Sequence, residues 1–122
     1  MPVVTLQCLT PDQPRAIDEA LSRIVHAVSQ ALGSDPSGTW AHWSPMAAVY
    51  QGLHRVSYRG HCPVITVRGR CRDKESVAAA LSAVAGAASG ALAIPVKDVW
   101  VQWLNIEDGQ AFAGGQVVNE TP

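Results

Sequence analysis

The chain opens with apolar residues in alternation, the pattern of a strand that has one buried face. The same alternation returns at residues 63–70. One face of the first strand is predicted to carry Val4, Leu6 and Cys8, and the other Val3, Thr5 and Gln7. In the second strand, Ile65 and Val67 share a face. Two similar half-buried strands are therefore predicted, well separated along the sequence.

Each of these strands precedes a stretch with helical spacing. Apolar residues recur every three or four positions across 17–32 and again across 77–92, which predicts two amphipathic helices. The sequence Thr-Pro-Asp-Gln at 10–13 predicts a capping box at the start of the first helix. Asp73 is predicted to cap the second helix, and the glycine at position 33 to end the first.

The two halves are copies of one strand–helix–strand unit. Pro2-Val3-Val4-Thr5 returns as Pro63-Val64-Ile65-Thr66, and Thr39-Trp40-Ala41-His42-Trp43 returns as Val99-Trp100-Val101-Gln102-Trp103. We therefore expect an α/β (α+β) fold, in which two fused β-α-β repeats form a four-stranded mixed sheet with both helices on one face.

These patterns also predict how the chain is divided. A single domain of repeats 2–43 and 63–103 is expected, with a linker at 44–62 and a tail at 104–122. Within the tail, residues 116–118 are predicted to form a short edge strand. The sheet face opposite the helices has no cover within the chain, so we expect a homotrimer.

Composition narrows the class of protein. The 122 residues are 48% apolar and 16% charged, with a net charge of −1, which argues against a nucleic-acid or membrane-surface partner. No signal peptide or membrane span is predicted. Three cysteines without a C-x-x-C pair favour a reduced, cytoplasmic setting. The histidines lack metal-binding spacing, so no metal site is expected.

Candidate chemistry lies at the start of the chain and at the end of the second-repeat strand. If Met1 is removed, Pro2 carries a secondary amine, and a free α-amino group titrates at roughly 7.7–8.0, within reach of acid–base work. Arg68, Arg70 and Arg72 alternate and are predicted to share one side of a strand end. Arginine binds carboxylate in a bidentate manner, so we favour Arg70 and Arg72 as a carboxylate clamp and assign Arg68 to contacts between subunits.

A proline after the initiator methionine, a repeat of about 60 residues and a Gly-rich tail resemble the tautomerase superfamily. That family includes 4-oxalocrotonate tautomerase (4-OT) and macrophage migration inhibitory factor (MIF). The length and fused halves are most similar to its malonate semialdehyde decarboxylase and cis-3-chloroacrylic acid dehalogenase branches. The resemblance implies an enzyme that needs no cofactor.

The resemblance also implies roles for particular residues. It makes Pro2, Arg70 and Arg72 catalytic, and places Trp100, Gln102 and Phe112 against the substrate. Two departures bear on the reaction: Ala113 stands where the dehalogenases have the glutamate that activates water, and Gly38 lies near the position of the decarboxylase's aspartate.

We expect an enzyme that isomerises a small keto or dienol carboxylate, with Pro2 as general base. Two alternatives stay open at this level. One is decarboxylation or hydration of a three-carbon acid such as malonate semialdehyde, with protonated Pro2 as the acid. The other is a non-catalytic trimeric binding protein in which retained Met1 acylates the Pro2 nitrogen.

Overall fold

The computed structural model describes residues 2–56 and 61–119. Its elements are β1 (Val3–Cys8), α1 (Arg15–Leu32), β2 (Trp40–Pro45), β3 (Tyr50–Gln51), β4 (His54–Arg55), β5 (Val64–Arg70), α2 (Lys74–Leu92), β6 (Trp100–Ile106), β7 (Phe112–Ala113) and β8 (Gln116–Val117). A single 3₁₀ turn precedes β2, at Pro36–Gly38, and another precedes β6, at Val96–Asp98. The expected strand–helix–strand order occurs in both halves.

The main sheet is mixed, as predicted, with strand order β2-β1-β5-β6. Strand β1 runs parallel to β2, and β5 runs parallel to β6. The two repeats meet where β1 pairs antiparallel with β5, with Thr5 opposite Thr66. This central pairing relates the halves by an approximate twofold axis, so the start of β1 lies beside the end of β5.

The hydrophobic core lies between one face of the sheet and the two helices. Its fully buried strand residues are Val4, Leu6, Cys8, Ile65 and Val67. They pack against the buried helix residues Ala20, Ile24, Val28, Ala80, Val84 and Ala88 in one cluster. The predicted strand faces and the placement of both helices on one side are confirmed.

One predicted helix start is confirmed and the other is wrong. Asp73 caps α2, and its carboxylate accepts a hydrogen bond from the Ser76 backbone N–H at 2.7 Å. Helix α1 begins later than the sequence indicated, with Pro14 at its cap and no capping side chain. Proline disfavours helical backbone in the residue before it, so Gln13 cannot lie inside the first turn and the box begun by Thr10 does not form.

Each strand–helix–strand unit is followed by a short hairpin, so the repeat is longer than the sequence comparison showed. Strands β3 and β4 pair in the first half, and β7 and β8 pair in the second. The Val56 N–H donates to the Val49 carbonyl at 2.9 Å, and the Val118 N–H donates to the Ala111 carbonyl at 2.8 Å. The expected edge strand at 116–118 is thus corrected: it forms half of a separate hairpin.

Helix α2 is long and apolar enough to cross a membrane by length and composition alone. Its apolar character comes from small residues, mostly alanine. Three residues of this helix, Ala80, Val84 and Ala88, are fully buried in the core. A core helix of a globular protein passes the same test of length and hydropathy.

Candidate functional site

A cavity of about 340 Å³ lies where β1 and β2 begin and β5 ends. Pro2 immediately precedes β1, is buried, and accepts a hydrogen bond from the Trp40 backbone N–H at 3.0 Å. The lining residues are Val3, Gly38, Trp40, Arg70, Ile106, Ala111, Phe112, Ala113, Gly114 and Val118. Pro2 is not among these residues, but its chain neighbour Val3 and its hydrogen-bond partner Trp40 both line this largely apolar cavity.

Arg70 is the one charged residue among those that line this cavity in the described part of the chain. It ends β5, on the sheet face that the helices leave uncovered, and pairs in register with Ile106. Its Nε is buried and finds no hydrogen-bond acceptor among residues 2–56 and 61–119. An unmatched buried donor beside a cavity is suited to an anionic ligand.

The other two arginines occupy different surroundings. Arg68 shares the face of Arg70 but is exposed, and its Nη1 donates to Thr5 Oγ1 at 3.3 Å. Arg72 follows the end of β5, in the connection to α2, and does not line the cavity. Its Nε, like that of Arg70, is buried and has no acceptor among the described residues. The alternation was expected to extend through Arg72, but strand β5 ends at Arg70, so Arg72 lies beyond the strand. Whether Arg72 contributes to a clamp stays a prediction.

Two aromatic side chains dominate the cavity wall. Phe112, which the sequence singled out, lies in the hairpin of the second repeat and is 72% exposed. Trp40, which the sequence analysis did not select, is 67% exposed at the start of β2. The repeat held the signal that could have found it, because Trp40 is the counterpart of Trp100.

Trp100 and Gln102 lie at the opposite end of the sheet within one chain. The Trp100 backbone N–H donates to the Pro63 carbonyl at 3.1 Å, just as that of Trp40 donates to Pro2. The Trp100 indole N–H donates to Gln102 Oε1 at 3.1 Å, and Gln102 Nε2 donates to Thr66 Oγ1 at 3.3 Å. A single chain thus brings Arg70 and Phe112 beside Pro2, but not Trp100 or Gln102.

The middle of the uncovered face carries a polar row between these two ends. Thr5 Oγ1 lies 2.8 Å from His42 Nε2, and Thr5 and Thr66 are opposite each other on the central strands. Apolar residues flank this row, with Trp40, Trp100 and Leu104 all exposed. The face combines large exposed apolar side chains with internally bonded polar ones, a composition typical of a surface that another protein chain covers.

A second cavity, of about 310 Å³, lies at the Pro63 end. Its lining includes His54, His61, Cys62 and Asp98, and burial together with the charge of Asp98 raises the pKa of the Cys62 thiol. No group of three side chains able to hold a metal ion occurs in the parts of the chain that the structure covers, 2–56 and 61–119. Pro63 has an ordinary peptide nitrogen, so it cannot supply the secondary amine that Pro2 carries if Met1 is removed.

No protein-family model matches the sequence, and no curated protein matches it. Solved structures do match over nearly the whole chain. A fused 4-OT that forms a symmetric trimer is 21% identical over 94% of both chains, with a TM-score of 0.77. MIF from Toxoplasma gondii is 18% identical over 95% of this chain and 99% of its own, with a TM-score of 0.75.

This chain has the tautomerase-superfamily fold. Malonate semialdehyde decarboxylase shares it, at 19% identity over 92% of this chain and 90% of its own, with a TM-score of 0.71. The resemblance seen in the sequence is thus confirmed at the level of the fold. At these identities the similarity establishes architecture, and the chemistry has to be argued from the cavity.

Proposed function

We propose that this chain is an enzyme that moves a proton between two carbons of a small enolisable carboxylate, with the Pro2 nitrogen as general base. One observation carries the proposal: Val3 and Trp40, the chain neighbour and the hydrogen-bond partner of Pro2, line an apolar cavity whose only charged lining residue, among those described, is Arg70. The hydrogen bond from Trp40 to the Pro2 carbonyl fixes the residue that bears the amine. Structural neighbours with this fold are mostly enzymes.

The residues support the following sequence of events. Arg70 binds the substrate carboxylate through charge-assisted hydrogen bonds. The neutral Pro2 amine then takes a proton from a carbon next to the carbonyl, leaving an enolate whose charge spreads onto oxygen. The protonated amine then delivers a proton to another carbon of the conjugated system, which regenerates the neutral base, and because its N–H protons exchange with solvent the substrate acquires deuterium in D₂O. Apolar surroundings and a nearby guanidinium both favour the uncharged amine, which keeps the base available.

The residues that line the cavity also argue against decarboxylation and dehalogenation. Gly38 and Ala113, which stand near the acidic positions of the decarboxylase and dehalogenase branches, both line the cavity. None of the described lining residues is acidic or a histidine. The Pro2 nitrogen is therefore the base that we propose, and proton transfer needs no second one.

We further propose that the chain assembles as a homotrimer. Fused 4-OT neighbours are trimers, and the face that carries Trp40, Trp100 and Leu104 is uncovered in one chain. Covering these side chains removes apolar surface from water. The predicted contacts of Trp100 and Gln102 with substrate then depend on assembly, because one chain keeps them away from Pro2.

Intact mass spectrometry is the first test, since the amine exists only if Met1 is removed. Exchange of substrate protons in D₂O, followed by NMR, then measures proton transfer directly. We expect Pro2→Ala to lower the exchange rate strongly without abolishing it, because alanine leaves a primary amine that is less rigidly held. An unchanged rate in Pro2→Ala would exclude the nitrogen as the base.

The pH–rate profile separates the base mechanism from decarboxylation. If Pro2 acts as a base, kcat/KM rises as pH increases through the amine pKa, and if it acts as an acid, kcat/KM falls.

Covalent labelling by a reactive ketone is a second test of the Pro2 amine. One structure with this fold, 18% identical with a TM-score of 0.76, belongs to a protein inactivated by 2-oxo-3-pentynoate. We expect this compound to label the N-terminal peptide, and no labelling would support the non-catalytic alternative.

A further inference from the structure

Two buried polar side chains are bonded to each other at the Pro2 end of the sheet. Ser29 lies near the end of α1 and Thr39 immediately precedes β2, and these residues are 1% and 8% exposed. Their hydroxyl oxygens, Ser29 Oγ and Thr39 Oγ1, lie 2.8 Å apart. Because a buried hydroxyl without a partner is costly, this Ser29–Thr39 bond ties the end of the helix to the start of the strand.

In the second repeat, the equivalent serine is bonded differently. Ser89 is the counterpart of Ser29, and its hydroxyl donates to the Ile94 backbone carbonyl at 2.6 Å. Val99 occupies the position equivalent to Thr39 and has no hydroxyl. The bond between helix and strand side chains is therefore specific to the first repeat, whose first strand follows the N-terminal proline.

Thr39 is connected to Pro2 through a single backbone hydrogen bond. The next residue, Trp40, donates its backbone N–H to the Pro2 carbonyl at 3.0 Å. Gly38, on the other side of Thr39, lines the cavity. A shift of Thr39 would therefore move both a wall of the cavity and the donor that holds Pro2. Trp40 takes part through its backbone, so this connection does not depend on the surroundings of its indole ring.

We propose that Ser29 and Thr39 are positioning residues for the Pro2 amine. The Ser29–Thr39 bond fixes the start of β2, and β2 in turn holds the residue that bears the nitrogen. This inference rests on the proposed function, because it explains how the proposed base is held. A base must lie within reach of the proton that it removes, so a small displacement lowers the rate even when the substrate binds normally.

Amide hydrogen exchange of the whole chain, followed by NMR, measures the effect of this bond without any substrate. Thr39→Val keeps the shape of the side chain and removes the hydroxyl. We expect exchange of the Trp40 backbone N–H to accelerate roughly threefold to tenfold, the usual effect of losing one hydrogen bond. Exchange of the Trp100 backbone N–H, which donates to the Pro63 carbonyl at 3.1 Å, should not change and is the internal reference.

Steady-state kinetics then separate positioning from substrate binding. Thr39→Val should lower kcat roughly threefold to tenfold and change KM by less than about twofold, since Arg70 holds the carboxylate. Ser29→Ala should reproduce both results, and Thr39→Ser, which keeps a hydroxyl, should recover most of kcat.

Ser89→Ala is the matched control, because it removes a hydroxyl at the same helix position of the other repeat. It should leave both kcat and the exchange of the Trp40 N–H unchanged. Circular dichroism and sedimentation confirm folding and assembly of each variant.

Three results would overturn the assignment of Ser29 and Thr39. One is unchanged Trp40 exchange in Thr39→Val. Another is equal acceleration at Trp40 and Trp100, which would mean a general loss of stability. The third is wild-type kcat in Thr39→Val despite faster Trp40 exchange, which would give the bond a structural role only. If Pro2→Ala keeps the wild-type rate, the proposed base is wrong, and Trp40 exchange still decides whether the Ser29–Thr39 bond holds Pro2.

Discussion

Replacing Arg70 with methionine removes the guanidinium while keeping an unbranched side chain against the apolar cavity. Arg70 ends β5, is the charged lining residue among those described, and has a buried Nε without an acceptor there. The substitution therefore separates a loss of substrate binding from a loss of folding stability, two effects that usually occur together. It should weaken substrate binding while leaving the stability of the free protein unchanged or slightly higher.

The expected changes in kcat/KM and in the free energy of unfolding follow from the surroundings of the Arg70 side chain. Charge-assisted hydrogen bonds to a carboxylate in a site shielded from water contribute about 2–4 kcal/mol. At about 1.4 kcal/mol per decade, kcat/KM should fall roughly 30- to 1,000-fold. A buried donor without a partner costs about 1–3 kcal/mol, but Arg70 is only partly buried. We therefore expect the free energy of unfolding to rise by no more than about 1 kcal/mol.

Proton exchange in D₂O measures activity, and urea unfolding measures stability. In the wild type, a carboxylate ligand at 100 times its Kd should stabilise the protein by about 2.7 kcal/mol, and Arg70→Met should lose most of this protection. Arg68→Met, compared at protein concentrations at which sedimentation shows the same assembly as the wild type, is the control, since Arg68 lies on the same strand face two residues away. Arg72→Ala should lose less activity than Arg70→Met, because Arg72 lies outside the lining.

Two results would refute this reasoning about Arg70. One is full activity of Arg70→Met in an intact assembly, which would leave the carboxylate site elsewhere. The other is a loss of more than about 1 kcal/mol of stability in the absence of ligand, since the guanidinium would then be satisfying a structural partner.

Three further predictions concern assembly, packing and acid stability. Arg68→Ala removes an exposed guanidinium from the uncovered face that we assign to contacts between subunits, so sedimentation should show weaker self-association, and unchanged association would contradict the assigned interface. A Cβ at Gly69 would lie 2.7 Å from the Trp103 ring, so Gly69→Ala should cost about 1–3 kcal/mol in urea unfolding; a neutral result would show that the ring can move. The pKa of Asp73 is lowered because its carboxylate accepts backbone hydrogen bonds at the start of α2. The ionised carboxylate therefore stabilises the folded protein above the unfolded-state pKa, and this stabilisation is lost as pH falls through the folded-state pKa. The melting temperatures of wild type and Asp73→Ala should therefore differ at neutral pH and converge in acid, and a difference that persists in acid would contradict this account.

The sequence by itself determined the elements and the repeat. Alternation in β1 and β5 and helical spacing in α1 and α2 follow from local backbone geometry, which one chain segment expresses alone. The cap at Asp73 is equally local, since it joins residues three positions apart. The wrong prediction of a capping box at Thr10 also has a local cause. Pro14 disfavours helical backbone in the residue before it, and this effect prevents the box that the residue types at 10–13 suggest.

The tertiary structure decided which of these residues share a site. Trp40 and Trp100 are equivalent in the sequence, and only the antiparallel pairing of β1 with β5 brings the end of β5, with Arg70, to Trp40 and Pro2. The hairpin that carries Phe112 completes the wall from the far end of the chain. The position at which β5 stops leaves Arg72 outside it. These placements arise from contacts between distant segments, and residue spacing along a strand carries no information about which end of a neighbouring repeat will lie beside it.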